Sequence, residues 1–406
     1  MTTRRRLIGG AAALAGASVL PRVGRAQGKP FIIGSVLPLT GVYAGLGKNF
    51  EVGQRVGVAE LNAKGGILGR RVELVIRDSA GNPQRSLLAA QELVEEQKAD
   101  FLYPELPSPN TLAVLPWATE RKVITITNSA TPRVGNVAEF PYSFQLGDLA
   151  TKRVPAMAAA MKQLGGKKVG VLVSTNPATV ATGQQLVTDL PKWGMESVGY
   201  RTYAVDAKDL NALVQAMRDA GADIIAFDSA TREGIPVVMS AMQTLGWKAK
   251  VVGEPAMLSG DLKEQVPAAV ADQFYCVNYR SAVRTGPIRP ELQEFINSIK
   301  ATGPIQNIGF SGIARDIFFM VKYAYEKAQK TKGGFGPDAV KAVLEETATA
   351  TDFEAGYSLI LGNPRWNAKD HSAANVDYSK AWGLVKVSSP VDGIYEGTEL
   401  NFNEPA

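Results

Sequence analysis

Phe31-Ile32-Ile33-Gly34-Ser35-Val36-Leu37, bounded by Pro30 and Pro38, reads as a buried strand. A Gly-rich loop, Thr40 to Gly47, follows it. Phe50 to Ala63 then carries apolar residues at Val52, Val56, Ala59 and Leu61, the rhythm of a helix face. Gly65-Gly66 stops that helix, and Arg71 to Asp78 alternates as a second strand. Strand, helix and strand in that order predict a β-α-β unit with parallel strands.

The unit repeats. Asn82-Pro83 opens a helix through Leu87, Leu88, Leu93 and Val94, and Phe101-Leu102-Tyr103 is a short strand. Ser108 to Thr119 is a helix and Val123 to Ile126 a strand. The pattern restarts near residue 150, with strands at Lys168–Val173, Val198–Val205, Asp223–Phe227 and Ala249–Val252. Helices fall between them, at Gly183–Pro191, Leu210–Ala220 and Gly234–Leu245. A long helix spans Phe310 to Lys330, with apolar residues at Ile313, Ile317, Met320, Val321 and Ala324. The tail offers short strands at Tyr357–Leu361 and Trp382–Val387. Two α/β units of similar size therefore follow one another.

Charge carries less than its total suggests. The 406 residues hold 44 Lys+Arg against 39 Asp+Glu, a formal net charge of +5. Residues 1–26 contribute Arg4, Arg5, Arg6, Arg22 and Arg25 and no acid or lysine, so the remainder is formally neutral. That segment has adjacent arginines, a weakly apolar run from Leu7 to Leu20, and Gly24-Arg25-Ala26 before a cut site. This is the layout of a cleaved export signal of the twin-arginine kind. The run is too short for a membrane span, and the basic excess gives no reason to expect a nucleic-acid partner. We expect a soluble periplasmic protein, monomeric and without a cofactor.

The residue inventory narrows chemistry further. The one cysteine, Cys276, excludes an internal disulfide and any multi-cysteine metal site. The one histidine, His371, excludes a multi-histidine site and sits in a polar loop. No phosphate-binding loop of the nucleotide-hydrolase kind occurs, and no catalytic residue is proposed. Cys276 reads as a small buried hydrophobe on a strand.

Several stretches together resemble a known family. They are Ile33-Gly34-Ser35-Val36-Leu37-Pro38-Leu39-Thr40-Gly41, the run Glu60-Leu61-Asn62-Ala63-Lys64-Gly65-Gly66-Ile67-Leu68-Gly69-Arg70, Val75-Ile76-Arg77-Asp78-Ser79 and Asn82-Pro83. Gly221-Ala222-Asp223-Ile224-Ile225 and Leu245-Gly246-Trp247 follow in the expected order. The chain resembles the periplasmic substrate-binding proteins of ABC importers, of the branched-chain amino acid (Leu/Ile/Val) type. The resemblance implies the type I periplasmic binding fold: α/β, two Rossmann-like lobes with parallel central sheets, joined by a three-segment hinge. By analogy, lobe 1 is 28–146 plus 277–355 and lobe 2 is 147–276 plus 356–406. It also implies a small-molecule ligand (an amino acid, amide or organic acid) held in the interlobe cleft, and a membrane permease as partner. A ligand-sensing regulator on the same fold and an exported hydrolase are the alternative readings.

Ligands of open parallel sheets bind outside the carboxyl ends of strands. Three loops of lobe 1 are candidates there. The first carries Tyr43, either an aromatic wall or a packed surface residue. The second, Pro104 to Thr111, carries Ser108, either a helix N-cap or a carboxylate contact matching the family's hydroxyl position; Glu105 and the prolines depart from the family's pattern. The third, Thr127 to Pro132, resembles the family's ligand-holding segment, with Ser129, Ala130 and Thr131 at the matching positions. In lobe 2, the family's Tyr-Gly pair is replaced by Val180-Ala181-Thr182-Gly183. Glu254 or Asp228 is the acid that would meet a ligand ammonium, although Asp228 also reads as a helix cap. Arg315 stands where many relatives carry an aromatic residue, and is either a guanidinium gripping a carboxylate or a solvated helix-face arginine.

Overall fold

The computed structural model describes residues 28–147, 149–351, 360, 364–373 and 381–402. The export signal expected at 1–26, and the strand expected at Tyr357–Leu361 apart from Ile360, lie outside the described residues.

The first half runs β1 (Phe31–Leu37), α1 (Ala44–Ala63), β2 (Val72–Asp78), α2 (Pro83–Glu95), β3 (Phe101–Tyr103), α3 (Ser108–Glu120), β4 (Thr125–Thr127) and β5 (Ser143–Gln145). These strands form a parallel sheet in the order β2-β1-β3-β4-β5. The second half runs α4 (Ala150–Gln163), β6 (Lys168–Ser174), α5 (Pro177–Asp189), β7 (Glu196–Tyr203), α6 (Asn211–Asp219), β8 (Ile224–Asp228), α7 (Gly234–Thr244), β9 (Lys250–Gly253), β10 (Phe274–Tyr279) and β11 (Val283–Arg284). Then come α8 (Pro290–Lys300), α9 (Ile308–Thr331), α10 (Pro337–Glu346), β12 (Trp382–Lys386) and β13 (Tyr395–Glu399). The second sheet has the order β11-β13-β12-β10-β9-β8-β6-β7. From β7 to β10 it is parallel; β12 is antiparallel to both β10 and β13.

The two parallel cores repeat one topology. In each, the first strand is central, the second lies on one side of it, and the third crosses to the other. Each sheet therefore has a switch point, between β1 and β3 and between β6 and β8. Loops leaving those strands at their carboxyl ends diverge and open a crevice.

Local chemistry accounts for the punctuation. The Asn82 side chain accepts a hydrogen bond from the Arg85 N–H and Pro83 starts α2. Gly66 closes α1 at φ +78°, where a Cβ would lie 1.9 Å from the Arg70 carbonyl oxygen. α9 is buried along most of its length and packs on α1. Gly53 and Gly57 permit that approach, since a Cβ on Gly53 would meet the Ser311 carbonyl oxygen at 2.0 Å.

Several expectations shift. α1 begins at Ala44 inside the supposed loop, and α5 begins at Pro177 rather than near Gly183. Ser108 is not the N-cap of α3: Pro107 holds that position and Ser108 is the first helical residue. Asp228 ends β8 and does not cap α7, whose N-cap is Glu233. β10 and β11 keep the chain in the second sheet as far as Arg284, past residue 276. After them α8 and α9 return to pack on α1, and β12 and β13 rejoin the second sheet.

Candidate functional site

A cavity lies where the carboxyl ends of both sheets face each other. From the first sheet, Tyr43 follows β1, Leu106, Pro107 and Ser108 follow β3, and Asn128 and Ala130 follow β4. From the second, Asn176, Ala178 and Thr179 follow β6, Ala230 follows β8, and Glu254 to Ala256 follow β9. Leu46, Phe310 and Arg153 complete the wall. The space is about 50 Å³, room for a few waters, so the two sides stand close together.

The first-sheet wall is neutral and hydroxyl-bearing. Tyr43 is buried; its hydroxyl accepts a 3.4 Å hydrogen bond from Asn176 Nδ2 across the cavity, and burial raises its pKa. Ser108 Oγ accepts a 3.3 Å bond from Ser129 Oγ, so Ser129 stands behind the wall. Ala130 lines the cavity, whereas Thr131 is buried outside it, at the start of the single turn Pro132–Gly135.

Glu105 explains how this wall is held. It is fully buried with φ +116°, a conformation a side-chain-bearing residue rarely adopts. Its carbonyl accepts from Thr127 Oγ1 at 2.8 Å and Thr111 Oγ1 at 3.1 Å, tying the loop after β3 to the end of β4. Its carboxylate accepts from Ser86 Oγ at 2.8 Å. Burial pushes its pKa up to about 7, with Ser79, Ser86 and Asn110 opposing the rise and Asp78 adding to it.

The second-sheet wall is charged. Arg153, on α4, donates from Nη1 to Glu254 Oε2 at 2.6 Å, and Asp228 Oδ2 lies 3.8 Å from the same nitrogen. Glu254 Oε2 also accepts the Ala256 N–H at 2.8 Å. Glu254 lines the cavity; Asp228 is buried behind it. Arg153, Asn176 and Thr179 were not among the sequence candidates. Asn176 followed by Pro177 is a readable helix start, and would have placed Thr179 in the first turn.

Arg315 is elsewhere, and its expected place in the cleft is corrected. It lies on α9 against α1, where Nε and Nη2 donate to Glu60 Oε2 at 3.0 and 2.9 Å and Nη1 to Asp316 Oδ1 at 3.1 Å. Its guanidinium stacks 3.7 Å from the Phe319 ring centroid. It is neither a cleft grip nor a solvated helix-face residue, being buried in a helix–helix contact.

The remaining singletons are structural. Cys276 is buried on β10, donates to the Glu254 carbonyl at 3.0 Å, and burial raises its thiol pKa well above the ordinary value. His371 is buried rather than exposed in a loop. It stacks on Phe144, its Nδ1 lies 2.9 Å from the Ser143 carbonyl, and burial lowers its pKa. Among the described residues no cluster of His, Cys, Asp and Glu suits a metal ion, and no helix is long and apolar enough to cross a membrane.

A family model described as periplasmic binding protein matches residues 30–381. The chain belongs to that family. It is 25% identical over 339 residues to Leu/Ile/Val-binding protein homolog 7 of Brucella abortus, covering 80% of this chain and 82% of that one. It is 28% identical over 232 residues to an amino acid binding protein of Pseudomonas aeruginosa, covering 57% of this chain and 62% of that one. It likewise matches 60% of the length of Leu/Ile/Val-binding protein homolog 3 of Brucella melitensis, so with these two the likeness spans about three-fifths of the relative.

Solved structures share the fold of this periplasmic binding protein. The leucine-binding protein LivK of Thermotoga maritima superposes with a TM-score of 0.73 at 19% identity, covering 88% of this chain and 95% of that one. LivJ of Streptococcus pneumoniae, solved with isoleucine, gives 0.70 at 19% identity, covering 91% and 100%. A solute-binding protein of an ABC transporter from R. palustris, solved with 4-hydroxybenzoate, gives 0.72 at 21% identity, covering 93% and 98%. These are type I periplasmic binding proteins, and the predicted fold class holds.

Proposed function

We propose that this periplasmic binding protein is the exported receptor of an ABC importer, capturing a small organic solute between its two lobes. The observation that carries the reading is the cavity itself. Its walls come from the carboxyl ends of β1, β3 and β4 on one side and of β6, β8 and β9 on the other. A solute there touches both lobes only when they are together, so it favours the closed state by its differential contacts. Lobe 1 would comprise 28–146, α8 to α10 and 364–373, whose Trp366 and His371 bond to β5, and lobe 2 would comprise 149–284 with β12 and β13, so that 277–284 and 364–373 fall on the opposite lobes to those the resemblance implies. The closed receptor would act as a monomer and present its lobes to a membrane permease. Residues 1–26 would direct export and be removed in the periplasm. A twin-arginine leader argues against a cytoplasmic sensor on the same fold.

The ligand would meet Tyr43, Ser108 and Ala130 on one side and Arg153, Asn176 and Glu254 on the other, with Ser129, Thr131 and Asp228 supporting them from behind. The test is a thermal-shift screen of amino acids, amides and carboxylates on the purified protein, since a solute that binds only the folded state raises its melting temperature. The expected result is a saturable rise with one chemical class and recovery of that solute unchanged. Conversion of the solute into a product would overturn the reading.

A further inference from the structure

The loop after β3 holds an acid that fits its site only with a proton on it. Glu105 is 0% exposed and immediately precedes Leu106, Pro107 and Ser108, which line the cavity. Its Oε2 lies 2.8 Å from Ser86 Oγ. The same Ser86 oxygen lies 2.9 Å from the Asn82 carbonyl oxygen and accepts from Asn110 Nδ2 at 2.9 Å. A hydroxyl has a single hydrogen, and here two acceptors stand in reach of it. A protonated Glu105 satisfies both: its O–H donates to Ser86 Oγ, and Ser86 donates to Asn82. An ionised Glu105 takes the hydrogen from Asn82 and holds a full charge away from water.

The surroundings do little for that charge. Ser86 from α2, Asn110 from α3 and Ser79 from the turn after β2 face the carboxyl, and all are neutral. The charged group facing it is Asp78 of β2, and the titratable one is Tyr103 of β3. Burial opposes the Asp78 charge, but bonds from Thr40 Oγ1 and from the N–H groups of Leu39, Thr40 and Ala80 hold its carboxyl below the ordinary value. Asp78 therefore stays an anion beside Glu105. Arg85 of α2 donates to the Asp78 carbonyl at 3.4 Å, on the exposed side.

The backbone couples this acid to the cavity. The φ of +116° at Glu105 is strained, and Thr127 Oγ1 and Thr111 Oγ1 hold it by donating to the Glu105 carbonyl. Thr127 Oγ1 in turn accepts the Ser129 N–H at 3.0 Å, one residue before Ala130 of the wall. Moving an ionised Glu105 toward water thus relaxes the strain and disturbs both segments of the first-sheet wall.

Taking the receptor reading as its basis, we propose that Glu105 is a positioning residue whose proton seats the Leu106–Ser108 wall, so that solute affinity falls as pH rises. Burial pushes the carboxyl up to about 7, which puts the change between pH 6 and pH 8. Affinity scales with the fraction of protein that is binding-competent, so full coupling makes the fall about tenfold over that interval. Linkage is reciprocal, and a solute that needs the seated wall is taken up together with a proton.

The test begins without solute. Hydrogen exchange of the purified protein at pH 6 and pH 8, corrected for the chemical effect of pH, follows the segments 105–111 and 127–130 by mass spectrometry. Both should lose about tenfold in protection at pH 8 in wild type. Neither should in Glu105→Gln, whose amide stays neutral and keeps a donor for Ser86. Calorimetry with leucine and with 4-hydroxybenzoate, whose charges do not change between those pH values, reads affinity alongside. A probe that binds should weaken about tenfold in wild type and hold steady in the variant. Equal protection at the two pH values overturns the inference and leaves the receptor reading standing. So does a step of the same size in Glu105→Gln, or a bound probe whose affinity for wild type ignores pH. Should the variant not fold, the wild-type exchange profile decides alone. A wall that responds to pH in a protein that binds no solute of the thermal-shift screen overturns the receptor reading, and with it the link to affinity.

Discussion

Two buried arginines in this protein are each flanked by two acids, and they do different things. Arg153 sits against Glu254 and Asp228 at the cavity, on a helix that packs under the second sheet. Arg315 sits against Glu60 and Asp316, between α1 and α9, with its guanidinium flat on Phe319. The composition of the two clusters is nearly the same. The difference lies in what each leaves open: Arg153 borders a void between lobes, while Arg315 closes a helix–helix contact whose outer acid, Glu60, is a quarter exposed. Charge pattern alone does not tell an arginine that borders the cavity from one that pins two helices together; the neighbour across from it does.

The largest effect is expected at Arg153. Replacing it in Arg153→Met strands two buried carboxylates, and should lower the unfolding free energy by about 3–5 kcal/mol as well as abolish the solute-dependent thermal shift. Urea titration measures the first effect and melting with solute the second. An unchanged midpoint would mean that the acids are not held by this cation.

Glu105 is the contrasting case, a buried acid served by hydroxyl groups. Its carboxyl is pushed up to about 7 in the fold against an ordinary 4.5. Between those values the folded chain keeps a proton that the unfolded chain has released. Stability should therefore fall as pH rises from about 4.5 through about 7, by about 3 kcal/mol in all. Glu105→Gln should flatten that slope and leave the variant the more stable protein at pH 8, as denaturant curves across pH would record. A slope identical to wild type would show that the proton sits elsewhere.

Arg315→Met probes the helix–helix contact. It should cost about 1–3 kcal/mol of stability through the lost bonds to Glu60 and Asp316, with solute affinity unchanged. Reduced affinity would return Arg315 to the cleft. The smallest effect is expected for Tyr43→Phe, which removes the 3.4 Å bond between Tyr43 and Asn176 across the cavity. Affinity should fall about threefold, with the melting temperature of the free protein nearly unaltered.

Legibility in the sequence followed the reach of each interaction. Strand and helix positions were readable because alternation and 3.6-residue periods are set by neighbours along the chain. The loops after β1, β3 and β4 were readable too, so Tyr43, Ser108 and Ala130 were found, and the acid at Glu254 was expected despite its altered Gly-Glu-Pro context. Arg153 left no such mark. An arginine in an alanine-rich helix reads as a solvated residue, and its acids lie 75 and 101 positions away. Arg315 failed for the converse reason: a suggestive local context placed it at a cleft that α9 reaches with Phe310, whereas Arg315 lies on the part of α9 packed against α1.

By itself, then, the amino-acid order determined a repeated β-α chain, the formal neutrality of residues 27–406, and the turns at which its strands end. Those are consequences of backbone geometry and side-chain period, which act within a few residues. Which side chains share the cavity, which acids pair with which arginine, and which arginine borders the cavity were decided only when two sheets brought their switch points together. Burial and pairing there depend on residues far apart in the chain, and only the folded molecule makes them neighbours.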